Sequence, residues 1–444
     1  MDAGMNVPEL PEAFRKRVQG QLEGEYPDFI RALEKDAVRG LRLNPMKRAA
    51  GLNIPGLGAP IPWTEDGYEL SLDSGAGTTA AHEAGAFYLQ DPCAMIPALA
   101  LDAHPGERIL DLCAAPGGKS TQIGLAMRGE GLLICNEPVL SRAKTLSRNL
   151  ERMGIPHGIV VCAMPEKLSA RWPESFDGVM VDAPCSGEGM FGRHPETRLA
   201  WSEESAEGCA KRQTGILENA ARLVRPGGRM VYATCTWNPA ENEEQVASFL
   251  ERHPEFSPES WSLPGLDPQQ GMLTCWPHRL RGGGQFMALL RKNGSSSETV
   301  DSGAKSFPVP KPDGKAQRIL QASGIRAEAP TGTLGQTLVH VPSGCPDLTG
   351  VHTLRLGLHL GQIRGDLFFP DHALAVSVLR PDVPMQPLSD GEALRYLAGE
   401  ELAGSIPGWQ TVSWHGLALG WAKGSGGRLK NHYPKGLRNG RLIL

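Results

Sequence analysis

Arg108-Ile-Leu-Asp-Leu-Cys-Ala-Ala-Pro-Gly-Gly-Lys-Ser120 decides the fold. It spells a short apolar strand over 108–112, a glycine turn at Gly117 and Gly118, and the opening of a helix. Open α/β sheets use this order to hold a ligand at the carboxyl ends of their strands. Glycine allows close backbone approach, and the first helical turn offers unpaired N–H groups. A phosphate-cradling P-loop would need a glycine where Cys113 stands, although Gly118-Lys119-Ser120 fits its end. The stretch also lacks the Gly-x-Gly-x-x-Gly dinucleotide fingerprint.

Outward from this stretch, apolar runs predict further strands over 131–136, 158–162, 177–182 and 228–234, with one near 285–290 at the sheet edge. Val139, Ala143, Leu146, Leu150 and Met153 step by three and four, which predicts a helix over 139–153. A second long helix starts at Ser202, with Glu203 and Glu204 complementing its dipole, and stops at Arg225-Pro-Gly-Gly228. Alternating strands and helices imply a parallel sheet covered on both faces.

Chemistry-bearing residues fall at the predicted strand ends: Asp111-Leu-Cys113, Cys135-Asn-Glu137, Asp182-Ala-Pro-Cys185 and Thr234-Cys235. An acidic residue such as Glu137, after the second strand, is placed to hold ribose hydroxyls. Asn238, Pro239 and Glu241 spell a helix start immediately after Cys235. A thiol there lies in a field that favours the nucleophilic thiolate.

The flanks are less explicit. Phe14, Val18, Leu22, Tyr26, Phe29, Ile30 and Leu33 predict helix within 1–38, broken near Gly20 and Pro27. An apolar helix over 94–101 ends at His104-Pro-Gly106. The serine-, glycine- and proline-bearing stretch 293–315 reads as a linker. Beyond it, strands are expected at 337–341, 353–360 and 367–369, and a helix at 391–402.

The 444 residues are 40% hydrophobic and 21% charged, which fits several soluble domains. No apolar run approaches the roughly 20 residues of a membrane helix. Nine scattered cysteines without a Cys-x-x-Cys pair argue against a disulfide framework and a zinc site, and point to a reducing cytoplasm. A net charge of −4 does not announce a nucleic-acid binder. Yet 421–444 carries Lys423, Arg428, Lys430, Lys435, Arg438 and Arg441 without an acid, interleaved with Trp421, His432 and Tyr433. Arg39, Arg42, Lys47 and Arg48 form a smaller basic cluster. Such a run is more commonly a solvated face than a nucleic-acid surface.

Three motifs together, Asp111-Leu-Cys-Ala-Ala-Pro-Gly-Gly-Lys119, Asp182-Ala-Pro-Cys-Ser-Gly-Glu-Gly-Met-Phe191 and Tyr232-Ala-Thr-Cys-Thr236, resemble those of the Sun-type RNA cytosine carbon-5 methyltransferases. The resemblance covers about 80–292. His82-Glu-Ala-Gly-Ala-Phe-Tyr88, Gly420-Trp-Ala-Lys423 and Leu429-Lys-Asn-His-Tyr-Pro-Lys-Gly-Leu-Arg438 are similar to the bacterial RsmF subgroup, which methylates small-subunit ribosomal RNA.

The resemblance implies a Rossmann-like methyltransferase sheet with an N-terminal α+β cap and a C-terminal, strand-rich, PUA-like RNA-binding domain. The implied division is an RNA-binding cap over 1–75, a methyltransferase domain over 76–292, a linker over 293–315, a first C-terminal subdomain over 316–375 and the PUA-like domain over 376–444. It implies S-adenosylmethionine as cofactor and small-subunit ribosomal RNA as partner; the sequence itself shows no metal-binding pattern and nothing that suggests more than a monomer.

By the same resemblance, Cys235 adds to carbon 6 of cytosine, Asp182 hydrogen-bonds the ring N3 and its neighbouring amine, and Cys185 assists loss of the carbon-5 proton. Lys119 lies near the base or the cofactor. Cys113, Ala114, Ala115, Pro116, Gly117 and Gly118 cradle the methionine end, Glu137 the ribose, and Arg142 a carboxylate or a support, with Asp182 also beside the cofactor. Two positions depart from the family. Cys162-Ala163-Met164 replaces the polar residues that contact adenine, leaving backbone or Met164 to do so, and Cys93 replaces a serine. Three alternatives stand beside this reading: a DNA cytosine methyltransferase with Cys185 as nucleophile, an NTPase, and an RNA-binding assembly factor without turnover.

Overall fold

The computed structural model describes residues 7–35, 38–47, 49, 51–294 and 311–444. Arg48 and most of the expected linker 293–315 lie outside the described residues. A nine-stranded sheet runs through the centre. Its strands are β1 (Arg108–Asp111), β2 (Leu132–Asn136), β3 (Gly158–Cys162), β4 (Phe176–Asp182), β5 (Val224–Thr234), β6 (Phe256–Pro258), β7 (Met272–Cys275), β8 (Gln285–Lys292) and β9 (His352–Leu356). The order is β6-β8-β5-β4-β1-β2-β3-β9, with β7 also pairing β8.

From β5 to β3 all pairings are parallel, and the strands outside them are antiparallel. Strand order reverses between β1 and β4, so a crevice opens beyond their carboxyl ends. Ile109 and Leu110 enter opposite cores, as strand alternation requires. One face is covered by Ile216, Leu217 and Ala220 of helix Glu203–Leu223. The other is covered by Ile123 of helix Gly118–Ala126 and by Ala143, Leu146, Leu150 and Met153 of helix Leu140–Met153. Burying each such leucine fully contributes roughly 1.5–3 kcal/mol.

Helices Glu12–Leu22 and Tyr26–Glu34 lay Phe14, Val18 and Phe29 against Phe191, Trp237 and Trp276, beside the second thiol-bearing turn. A four-stranded sheet follows, ordered Leu57–Pro60, Gly67–Leu70, Arg39–Leu43, Phe87–Leu89. It reaches past the expected boundary at 75, because Phe87–Leu89 completes its edge on Arg39–Leu43. Another four-stranded sheet spans Gly332–Leu334, Thr337–His340, Leu358–Arg364 and Leu367–Pro370. The last sheet is built on Gly408–Trp414, Leu417–Ser425 and Arg428–Asn431. Among the described residues no helix is long and apolar enough to cross a membrane.

Several expectations need correction. The first helix runs through Gly20, and Pro27 sits in the first turn of the second; the break is Glu23–Glu25, where Glu23 has φ 45°. The long helix stops at Leu223, before Pro226, because β5 already begins at Val224. Strand β8 is not an edge, since β6 and β7 pair on its outer side. The run 353–360 is two strands parted at Gly357, and they join different sheets. The helix expected at 391–402 is Asp390–Ala398, ended by left-handed Gly399.

Candidate active site and cofactor crevice

Both thiols sit at carboxyl ends of adjacent parallel strands, β4 and β5. Strand β4 delivers Asp182 and then Cys185; β5 delivers Cys235. The two Sγ atoms lie 3.3 Å apart, and the Cys235 backbone N–H donates to Cys185 Sγ at 3.3 Å. The Cys185 thiol is pushed well above its ordinary range, first by its hydrogen bond with Cys235 and then by burial. Lys119, from the helix after the glycine turn, places Nζ 2.8 Å from Asp182 Oδ2. The four residues expected to be catalytic therefore form two close pairs.

Glu241 has a different part from the one expected of it. The cap at Asn238 forms, its side chain accepting from Ala240 N–H, and Pro239 opens a helix. That helix is a single 3-10 turn, however, and Glu241 meets the cap only through the Asn238 side-chain amide (3.4 Å), since the Asn238 backbone N–H donates to Thr236 Oγ1. Its carboxylate accepts from the Ser186 amide (2.9 Å), the Ser186 hydroxyl (2.5 Å) and Gln213 Nε2 (2.9 Å). Gln213 also donates to Pro184 O at 3.0 Å. One buried carboxylate thus ties the Cys185 loop to the Cys235 turn, and burial raises its pKa against the Ser186 hydrogen bonds.

Glu188 braces the other side. It accepts from Trp237 N–H (3.2 Å) and Trp201 Nε1 (3.1 Å), and pairs with Arg17 of the N-terminal helix. Sequence reasoning missed Glu188, Gln213 and the real task of Glu241. Their partners are distant in sequence, and only the Glu-Gly-Met run after Cys185 hinted at the first.

The cofactor crevice lies at β1 and β2. Gly117 takes φ +112°, and the helix starts at Gly118. Asn149 Nδ2 holds Pro116 O at 2.9 Å, and Arg142 holds Ala115 O at 3.0 Å, so the 113–118 loop is fastened by helix Leu140–Met153. Arg142 also lies 3.3 Å from Glu137 Oε2. Burial pushes Asp111 up to about 7 against the Ser120 hydroxyl (2.6 Å), and pushes Cys113 well above its usual range. Asp111 Oδ1 is buried without a partner.

A nucleoside needs an acceptor for its ribose and an apolar wall for its base. Glu137 is the carboxylate at the end of β2, where it accepts from Val139 N–H at 2.9 Å. Val139, Leu140 and Met164 supply exposed apolar surface, on loops joined where Cys162 Sγ meets Pro138 O at 3.2 Å. The Ala163 amide is already spent on Asn136 Oδ1 (3.1 Å), and Asn136 also donates to Leu112 O. The exposed Met164 side chain and the backbone groups other than the Ala163 amide remain as adenine holders, and the residues fit a nucleoside-bearing cofactor.

The basic runs divide. Arg42 and Lys47 are buried: Arg42 donates to Gly118 O and Thr121 Oγ1, and Lys47 to Ala84 O and Arg152 O. In the tail, Trp421 and Tyr433 belong to the core and not to a stacking face. Exposed Lys423 stands opposite Lys430 in register, with its Nζ 5.3 Å from the Trp409 ring. Like charges placed opposite one another disfavour a sheet.

Fold and site together define an α/β methyltransferase with paired thiols. Residues 98–291 match the family described as 16S rRNA methyltransferase RsmB/F. Residues 10–92, 320–378 and 386–439 match, in turn, the N-terminal domain of 16S rRNA methyltransferase RsmF, its first C-terminal domain and its PUA domain. Ribosomal RNA small subunit methyltransferase F of Escherichia coli O139:H28 is 32% identical over 469 residues, covering 98% of each chain. The Escherichia fergusonii protein of that name is equally similar, 32% identical with 98% of each chain covered.

Among solved structures, a methyltransferase homolog from Pyrococcus horikoshii is 25% identical over 64% of this chain and 95% of its own, with a TM-score of 0.53. NSun6 from the same organism shares the fold at 20% identity and TM-score 0.57, over 64% of this chain and 99% of its own. The chain belongs to the RsmB/F family of 16S rRNA methyltransferases.

Proposed function

We propose that the protein transfers a methyl group from S-adenosylmethionine to carbon 5 of a cytosine in small-subunit ribosomal RNA. The observation that carries this reading is the Cys185–Cys235 pair at 3.3 Å beside the Lys119–Asp182 pair at 2.8 Å. When bound between Glu137 and the 113–118 loop, S-adenosylmethionine supplies an electrophilic methyl group.

The chain's residues do the rest. Cys235, its thiol proton lost to water, adds Sγ to carbon 6, which makes carbon 5 an enamine nucleophile. Asp182, its other oxygen held by Lys119, meets the N3 and amine edge, where charge develops during addition. After methylation Cys185 assists loss of the carbon-5 proton, which leaves to water. The Sγ–C6 bond then breaks and returns its electrons to Cys235. A base in this pocket must be unstacked, so the target is a single-stranded or extruded nucleotide. In this reading the N-terminal unit, extended through Phe87–Leu89, serves as a cap, the central sheet as the methyltransferase and the C-terminal units as RNA-binding modules.

Labelled methyl transfer to small ribosomal subunits tests it. Wild type is expected to label RNA, Cys235→Ala to be dead, and Cys185→Ala to accumulate a covalent protein–RNA adduct. Full activity of Cys235→Ala would move the nucleophile to Cys185. RNA binding by wild type without any labelling would favour an assembly factor.

A further inference from the structure

The turn that carries Cys235 is held through its backbone by partners from two distant parts of the chain. Gly189 N–H donates to Cys235 O at 2.9 Å, and Asn242 Nδ2 donates to Thr236 O at 3.0 Å. Trp237 N–H donates to Glu188 Oε2 at 3.2 Å. These partners all come from segments around the central sheet. Trp237 O is held from elsewhere: Arg17 Nη1 and Gln21 Nε2, both on helix Glu12–Leu22, each donate to it at 3.1 Å. Spaced i and i+4, the two side chains share one face of that helix.

Arg17 does more than satisfy this carbonyl. Its Nη2 pairs with Glu188 Oε1 at 2.5 Å, and the Glu188 carboxylate is fully buried. No other cation pairs with Glu188 among the described residues, and a buried carboxylate needs a counter-charge. Glu188 lies on the loop that follows Cys185, and Trp237 on the turn that follows Cys235. One guanidinium therefore places a nitrogen on each thiol-bearing segment. Its planar fork fixes the angle between those two bonds, which a single ammonium does not. Docking of the helix does not depend on this bridge. Phe29 stands edge-on to the Trp237 ring at 5.1 Å, and Phe14 lies 6.3 Å from it, so apolar packing already seats the helix pair.

We propose that Arg17 is a positioning residue which, by joining the Cys185 loop to the Cys235 turn, sets the separation and aim of the two thiols. The inference rests on the methyl-transferring reading above and adds that helix Glu12–Leu22 is part of the frame of the reaction centre. Attack on carbon 6 and loss of the carbon-5 proton both need a thiol placed to within a fraction of an ångström, and a misplacement of about 1 Å can cost about 100-fold in rate.

The test uses full-length protein and Arg17→Lys, which keeps a positive charge beside Glu188 but offers one nitrogen where the fork has two. Its kcat for labelled methyl transfer to small ribosomal subunits is expected to fall about tenfold. KM for the subunits and the melting temperature should stay at wild-type values, while release of the protein–RNA adduct slows. Hydrogen exchange read by mass spectrometry needs neither RNA nor cofactor, and it should quicken in the peptides that carry the Gly189 and Trp237 amides. Arg17→Ala, which also strips Glu188 of its cation, is expected to lose more rate than Arg17→Lys. Wild-type kcat in both variants would overturn the proposal and leave Arg17 a structural ion pair. A raised KM with unchanged kcat would overturn it in favour of a contact with the substrate. Quickened exchange in both peptides, in a protein whose wild type transfers no methyl, would overturn the activity and keep the bridge.

Discussion

Glu241 carries one of the heaviest positional burdens in the site. Its carboxylate satisfies Ser186 twice and Gln213 once, and so fixes the loop that points Cys185 at Cys235. Replacing Glu241 by Gln presents an NH2 to one of these donors, at a cost of about 1–3 kcal/mol. The expected outcome is a 10- to 100-fold lower kcat, slower release of the protein–RNA adduct and an unchanged affinity for S-adenosylmethionine. Single-turnover kinetics with titration calorimetry would check it, and a purely structural role would lower stability without moving adduct release. Cys235, Cys185, Asp182 and Lys119 were legible because each stands in a contiguous motif. Glu241 was legible only as a cap, since its Gln213 and Ser186 partners lie 28 and 55 residues away.

At the scale of elements, periodicity located the parallel strands to within a residue or two at most ends, and helix Leu140–Met153 almost whole. It failed where two elements share one uninterrupted pattern. The apolar run 353–360 gives no sign that it serves two sheets, and the only mark is Gly357 at φ +66°. A Cβ there would lie 2.3 Å from His340 O, so both conformation and space demand glycine. Gly357→Ala is expected to cost about 2 kcal/mol or more and to lower Tm in a thermal melt. Its methyl-transfer rate per folded molecule should stay near wild type, because Gly357 lies away from the thiols. The Leu223–Val224 joint misled for a related reason: Pro226 and Gly227 look like a helix stop but are absorbed into the start of β5.

Across the whole molecule, the front and back of the chain are one body. Leu41, Phe87 and Ala80 share a core with Tyr396, Trp414 and Tyr433, and Ala80 N–H donates to Ile443 O at 2.9 Å. No periodicity announces such a junction, because it joins residues more than 300 positions apart. A second joint lies where the central sheet meets the first C-terminal unit, around His157. Its ring nitrogens have no hydrogen-bond partner among the described residues, and burial lowers its pKa to about 4. Glu130 and His340 face the same cavity.

A neutral buried histidine gives stability that is present above its unfolded pKa of about 6.5 and is lost as pH falls towards 4. At pH 5 this loss approaches about 2 kcal/mol. His157→Leu is therefore expected to lose less Tm than wild type between pH 7.5 and 5, measured by calorimetry. Equal losses in both proteins would remove His157 as the cause.

The pairing of β9 with β3 bears on how the chain is made. Strand β3 belongs to the parallel core, yet the residues that close its outer side, His352–Leu356, emerge from the ribosome well after the last catalytic strand, Gln285–Lys292. During that interval the nascent sheet has an open edge, with Ile159, Val160 and Val161 waiting for a partner. A fragment cut at residue 292 would keep both cysteines and the glycine turn and still lack its last rung. The enzyme's modules can be separated by name more readily than by scissors, and gene fusions that exchange the C-terminal half would have to supply a matching strand.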